Sequence, residues 1–204
     1  RGLVGSEMCI RDRFWGKYGV NDTDFIVTFV GNFGKQFDLE TLEYAIDKIQ
    51  NNNIKFILCG TGEKFNYFGD KYQNNDNVVI PGWVGKDEIA SLIASSNVGI
   101  APYKDSKNFR LNAPNKFGEY LSASLPILVS VSGIMSELLS ENECGYFYQN
   151  STELVDLINK YYESNDLQIK HAQNARELFE KSFNAENVYK DFGEYLVNVA
   201  INSK

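Results

Sequence analysis

Short runs of β-branched and aromatic residues recur along the chain, and each one stops at glycine or proline. The first is D-F-I-V-T-F-V-G at residues 24–31, followed by the turn Gly31-Asn32-Phe33-Gly34-Lys35. Asp38 then precedes Leu39, Leu42, Ala45, Ile46 and Ile49, a helical spacing behind a residue suited to cap a helix. I-K-F-I-L-C at residues 54–59 is the second run, with Gly60-Thr61-Gly62-Glu63 as its turn and a helix expected through Tyr72. Residues 77–80 form a third, ending in Pro81-Gly82-Trp83-Val84-Gly85, and a helix is expected over residues 87–95. Residues 98–101 are a fourth, before Pro102-Tyr103 and a polar loop over residues 104–113. A helix over residues 115–123, a strand over 126–129, a short helix near 135–139 and a strand near 145–148 follow. Three polar-rich helices, from about Thr152, Leu167 and Ala185, finish the chain.

Strands alternating with helices imply parallel pairing with right-handed crossovers. The expected fold is therefore α/β: a doubly wound, Rossmann-like, mostly parallel sheet of about six strands with helices at the C-terminus. Ligands of such sheets bind outside the carboxyl ends of the strands. The turns at 31–35, 60–63, 81–85 and 102–114 all lie there, which points to one shared pocket.

At 204 residues the chain is expected to be one domain. Its net charge of −7 argues against nucleic acid and anionic membrane as partners, since both favour basic patches. It leaves room for a local basic pocket. No run approaches the roughly 18 apolar residues of a membrane span. Cys9, Cys59 and Cys144 are odd in number and widely spaced, so they make neither a disulfide framework nor a metal-ligand spacing. Cys59 reads as a small core residue, and the pattern suits the reducing cytoplasm. His171, the sole histidine, falls in a polar helical segment and reads as a solvated surface residue. Residues 1–13, R-G-L-V-G-S-E-M-C-I-R-D-R, show neither a helix or strand period nor the apolar core of a signal peptide. They resemble a translated sequencing-library adapter. They are read as a non-native tail, with a disordered natural tail as the other reading, and residues 14–204 as the folded unit.

The stretch N-F-R-L-N-A-P-N-K-F-G-E-Y-L-S-A-S-L-P-I-L-V-S at 108–130 carries the chemistry. Lys116 and Glu119 share a face at the start of a helix. Unpaired N–H groups and the positive dipole end attract anions there. A lysine beside them suits phosphate, and a carboxylate one turn on suits sugar hydroxyls. On spacing alone, an ordinary surface pair is the commoner reading.

The pattern P-N-K-F-G-E-Y-L-S-A-S-L-P-I-L resembles the donor-site segment of family-4-type glycosyltransferases of the GT-B fold, in the subset written P-x-K-x-x-E-Y-L-x-x-x-x-P-I. F-I-L-C-G-T-G-E, N-V-V-I-P-G-W-V-G and N-V-G-I-A-P-Y resemble further segments of that family, in the same order, from about Lys17 to the C-terminus. The resemblance implies the C-terminal, donor-binding half of a GT-B enzyme that moves a sugar, with retention, from a nucleoside diphosphate sugar to a glycan, lipid-linked or other acceptor. It implies that Glu119 binds the ribose, that Trp83 and Val84 frame the base, and that Lys116 and Lys35 face the diphosphate. Gly31, Asn32, Gly34 and the backbone around Asn112, Ala113 and Pro114 would meet phosphate and sugar. No metal or other cofactor is implied, and no catalytic residue is assigned.

Two departures stand out. Many members carry a Glu-x7-Glu pair, and here Leu111 stands eight residues before Glu119, which leaves the transferred sugar open. Members also often place an arginine and a lysine near the first turn; here only Lys35 is close, and it is as readily a solvated side chain. The family's first Rossmann domain, which supplies the acceptor site and any peripheral contact with a membrane, is expected upstream, with the final helix crossing back to it. Without that half the chain is expected to bind a sugar nucleotide weakly and not to transfer sugar. Other readings are a different GT-B enzyme, such as a sugar-nucleotide epimerase, and a non-enzymatic α/β nucleotide-binding or regulatory domain.

Overall fold

Six of the apolar runs pair as parallel strands in a computed structural model that describes residues 14–202. The tail expected over residues 1–13 lies outside the described residues, as does Cys9. The strands are β1 (Phe25–Val30), β2 (Ile54–Cys59), β3 (Val78–Gly82), β4 (Val98–Ala101), β5 (Ile127–Val129) and β6 (Gly145–Phe147), in the order β3-β2-β1-β4-β5-β6. β1 and β2 are buried along their whole length, as strands are when helices cover both faces of a sheet. Their register runs unbroken from Phe25 opposite Ile54 to Val30 opposite Cys59. The doubly wound α/β fold expected from the alternation is the fold observed.

The helices are α1 (Leu39–Lys48), α2 (Phe65–Tyr72), α3 (Lys86–Ser95), α4 (Lys107–Arg110), α5 (Asn115–Ser122), α6 (Ile134–Glu141), α7 (Ser151–Glu163), α8 (Asn165–Ser182) and α9 (Ala185–Asn202). Asp38 caps α1 as expected: the Thr41 N–H donates to its Oδ1 at 3.2 Å. Such a cap contributes about 1 kcal/mol. α1 buries Leu39, Leu42, Ala45 and Ile46, one helical stripe.

Some local readings shift. Pro81 and Gly82, read as turn residues, close β3 instead. β3 is an edge strand, where a proline without an N–H is tolerated. The register also slips between Ile57 and Cys59, which brings Gly82 opposite Cys59. The polar loop 104–113 contains the single turn α4, capped by Ser106.

His171 overturns its surface reading. It is only 4% exposed, and its Nδ1 lies 2.8 Å from the Tyr161 hydroxyl. Its ring packs on Tyr146 with centroids 5.1 Å apart. The physical reason is position: His171, Ala175 and Leu178 form the buried stripe of α8, so the imidazole faces α7 and β6 despite polar neighbours in sequence.

The pairing of β1 with β4 stops early. Val27 faces Val98 and Thr28 faces Gly99, and the ladder goes no further. This is the switch point, where the chain has gone outward through β2 and β3 and returns to the other side of β1. It opens a crevice at the carboxyl edge.

Candidate functional site

The turns after β1 and β2 interlock through backbone alone. The Gly31 N–H donates to the Cys59 carbonyl at 2.9 Å, and the Phe33 N–H to the Thr61 carbonyl at 2.9 Å. Gly60 has φ +138, and a Cβ there would lie 1.7 Å from the Gly31 carbonyl oxygen. Only glycine fits so close an approach. The Gly60 N–H in turn donates to the Gly82 carbonyl at 2.8 Å, which ties in the third turn.

Gly31, Asn32, Gly60, Thr61, Trp83 and Val84 thereby line a cavity of about 240 Å³ at the carboxyl edge. Three of the four turns expected to meet do so. A larger cavity, about 790 Å³, adjoins it across Trp83, Val84 and Ile89 and lies between α3 and α5. Ile89, Ala90, Ile93 and Ala94 make its apolar wall, and Lys86, Lys116 and Glu119 its polar rim. Trp83 is 78% exposed, an indole held at the mouth with a free face.

α5 delivers Lys116 and Glu119 because Phe117, Tyr120 and Leu121 bury its other face. Pro114 occupies the cap position before the helix and provides no side-chain cap, and no acidic residue sits in the first turn. The Phe117 N–H turns back to the Pro114 carbonyl at 2.8 Å, and the Asn115 and Lys116 amides have no acceptor within the helix. Lys116 Nζ donates to Glu119 Oε2 at 2.6 Å. This pair sets a compact cation and a carboxylate at one apolar-walled cavity, and Pro114 and Asn115 at the helix start line the groove that meets it at Glu119. The arrangement suits an anion next to hydroxyls and a planar ring.

Nearby groups are poor nucleophiles. Burial pushes the Cys59 thiol up to about 12, although the Lys116 ammonium pulls the other way. Tyr103 is pushed up to about 12 by burial and by the Glu119 carboxylate. Neither ionises appreciably near neutral pH.

The remaining candidates from sequence line neither of these two cavities. Lys35 is 87% exposed at its side chain, 3.7 Å from Glu63, and lines neither cavity. Gly34 borders neither cavity; its carbonyl accepts from the Phe37 N–H at 3.2 Å. Ala113 and Pro114 border a further groove against Phe179 and Phe183, which meets the larger cavity at Glu119 and Ser122, and Asn112 borders another beside Leu111. Sequence reasoning passed over Lys86 and Ile89. Lys86 opens α3 as Lys116 nearly opens α5, and that parallel was the available signal.

Comparisons with known proteins bear on the family and the fold. Residues 11–178 match the family model described as glycosyl transferases group 1. The chain is 24% identical over 113 residues to the chitobiosyldiphosphodolichol beta-mannosyltransferase of Dictyostelium discoideum, covering 54% of this chain and 22% of that protein. In structure it is similar to sucrose-phosphate synthase from Thermosynechococcus elongatus, with a TM-score of 0.75 and 18% identity over 92% of this chain and 48% of that one. It is also similar to Anabaena HepE in complex with UDP, with a TM-score of 0.73 and 18% identity over 93% of this chain and 53% of that one. HepE has also been solved with UDP-glucose. The chain thus spans under a quarter of that mannosyltransferase and about half of each of those two structures. With most of its length inside the family match, the chain belongs to the glycosyl transferases group 1 family.

Proposed function

We propose that this chain is the donor-binding part of a retaining, family-4-type hexosyltransferase that takes sugar from a nucleoside diphosphate sugar. The observation that carries the reading is the cavity that Lys116 and Glu119, from the first turns of α5, share with Trp83 and Val84. In it the base lies against Trp83 and Val84, the ribose hydroxyls bond Glu119, and the diphosphate meets Lys116 and the α5 amides. The distal phosphate and the sugar reach toward Gly31 and Asn32, with Gly34, Lys35 and the backbone of Asn112, Ala113 and Pro114 closing over them. A leaving diphosphate is stabilised by fixed dipoles and cations in a dry cleft. No cofactor or metal enters this reading.

The acceptor, a glycan or lipid-linked saccharide of polysaccharide biosynthesis, meets a first domain of the same protein. That domain supplies any peripheral membrane contact, and the reaction is cytoplasmic. Among the described residues no helix is long and apolar enough to cross a membrane. α9 supports a second domain: Val188, Phe192, Tyr195 and Leu196 follow one another at helical spacing, and each is at least 43% exposed. Half a cleft is wet, so the chain alone binds donor weakly and does not transfer.

Titration of the chain with UDP, GDP and their sugars tests the reading. One nucleotide series is expected to bind, and Glu119→Ala to weaken it by roughly ten- to hundredfold, the range for a lost hydrogen bond to a charged group. Absence of binding by both series would return the chain to the non-enzymatic alternative. Sugar transfer by the chain alone would contradict the half-cleft argument.

A further inference from the structure

The β1–β4 ladder ends before β1 does, and the backbone groups beyond its end need partners. Along β1 the N–H groups alternate sides. Those of Phe25 and Gly31 donate toward β2, to the carbonyls of Asn53 and Cys59. Those of Ile26 and Val30 point the other way, toward β4. Ile26 finds the Asn97 side-chain oxygen at 2.8 Å. Val30 lies past the last β1–β4 pair, Thr28 with Gly99. Its N–H donates instead to the Tyr120 hydroxyl at 3.0 Å.

Tyr120 is fully buried, and β4 is shaped to receive it. A Cβ on Gly99 would lie 2.7 Å from the Tyr120 ring. The missing side chain of one strand makes room for the ring, and the ring's hydroxyl replaces the missing strand partner of the other. An unmet buried N–H is costly, so this bond fixes Tyr120 against β1.

The two ends of that bond belong to different parts of the site. Val30 runs straight into Gly31 and Asn32, and all three line the smaller cavity. Tyr120 follows Glu119 on α5, whose Lys116 and Glu119 rim the larger one. Nothing with a 0% exposed side chain touches a ligand, so Tyr120 acts through its neighbours.

We propose that Tyr120 is a positioning residue: its hydroxyl, bonded to the Val30 N–H, sets the distance between the Gly31–Asn32 turn and the Lys116–Glu119 helix. It thereby selects ligands that reach across both cavities. This rests on the donor-site reading above. A ligand that spans both cavities, a nucleoside diphosphate, depends on the brace. A nucleoside monophosphate, held by Trp83, Val84 and α5 alone, does not.

Tyr120→Phe keeps the ring and removes only the hydroxyl. Affinities of the 204-residue chain for UDP and UMP, and for GDP and GMP, are measured in wild type and variant. The diphosphate is expected to weaken by about tenfold, in the range of a single lost buried hydrogen bond, and the monophosphate by less than about twofold. Equal weakening of both, or of neither, overturns the brace and leaves the donor site standing. Failure of wild type to bind any of the four overturns the donor site and the brace with it. Should Tyr120→Phe not fold, amide exchange at Val30 in the wild type decides the matter. Slowing by the diphosphate and not by the monophosphate is expected, and equal slowing by both overturns the proposal.

Discussion

Glu119 and His171 sit on two helices, α5 and α8, that pack against each other, and both belong to polar clusters. The clusters differ in what they leave unspent. His171 is enclosed: Tyr161 holds its Nδ1, Tyr146 covers its ring, and 4% of its surface is open. The side chain of Glu119 is 49% exposed on the rim of a large cavity, bonded to a lysine that shares that rim. A buried polar group with its partners supplied internally specifies packing. A half-open pair beside uncapped amides keeps bonding capacity for something that is not protein. Polar residue type alone does not separate these cases; enclosure does.

Disrupting the turns should have the largest effect, because the turns after β1 and β2 are held to each other by backbone and not by side chains. Gly60→Ala places a Cβ against the Gly31 carbonyl at a φ of +138. A stability loss of about 3 kcal/mol or more is expected, beyond the usual range for point changes. Nucleotide affinity is expected to fall with it. Chemical denaturation measures the first and titration the second. Unchanged stability would mean that the interlocked turns do not hold the edge.

His171→Leu separates the two clusters next. It strands the buried Tyr161 hydroxyl, an expected cost of about 1–3 kcal/mol. UDP and GDP affinity is expected to stay within about twofold, since His171 lines neither donor cavity. A large loss of affinity without a loss of stability would reverse the assignment of the clusters.

The smallest expected effect is on pH dependence. Burial lowers the His171 pKa below the ordinary 6.5, with the Lys170 ammonium next in importance; Lys160 adds to it and Glu143 opposes. The unfolded chain therefore takes up a proton before the folded one does. Stability is full above about pH 6.5 and is lost as pH falls from there toward the lowered folded value. The difference between wild type and His171→Leu in denaturation at pH 7.5 and 5.5 isolates this residue. As the sole histidine, it also gives a single imidazole signal whose titration should lie below 6.5. A midpoint above 6.5 would contradict the enclosure.

The alternation of apolar runs with glycine turns was enough to read the sheet, because strand and helix periods are local signals. The residues 54–59 and 98–101 stand as strands where their composition placed them. What the sequence concealed depends on contacts between distant segments. Pro81 and Gly82 extend a strand only because β3 is at the edge. His171 is buried only because Tyr161 and Tyr146 come round to meet it. Its spacing with Ala175 and Leu178 was the visible trace of that. Within the site, Lys116, Glu119, Trp83 and Val84 do gather at one cavity, with Gly31 and Asn32 next door. Lys35 followed the right turn, but its side chain points into solvent beside Glu63. Direction of this kind is set by tertiary packing and not by position in a motif. Tyr120 drew no reading from sequence, and only the early end of the β1–β4 ladder gives its hydroxyl a task.

The central claim is that the open cluster at the carboxyl edge holds a nucleoside diphosphate. Amide chemical-shift mapping of the chain during titration with UDP and with GDP tests it most directly. The expected result is that one nucleotide shifts Asn32, Trp83, Val84, Lys116 and Glu119 together, while Tyr146 and His171 stay still. Shifts centred on the His171 cluster, or a saturating ligand that leaves Lys116 and Glu119 unmoved, would contradict it.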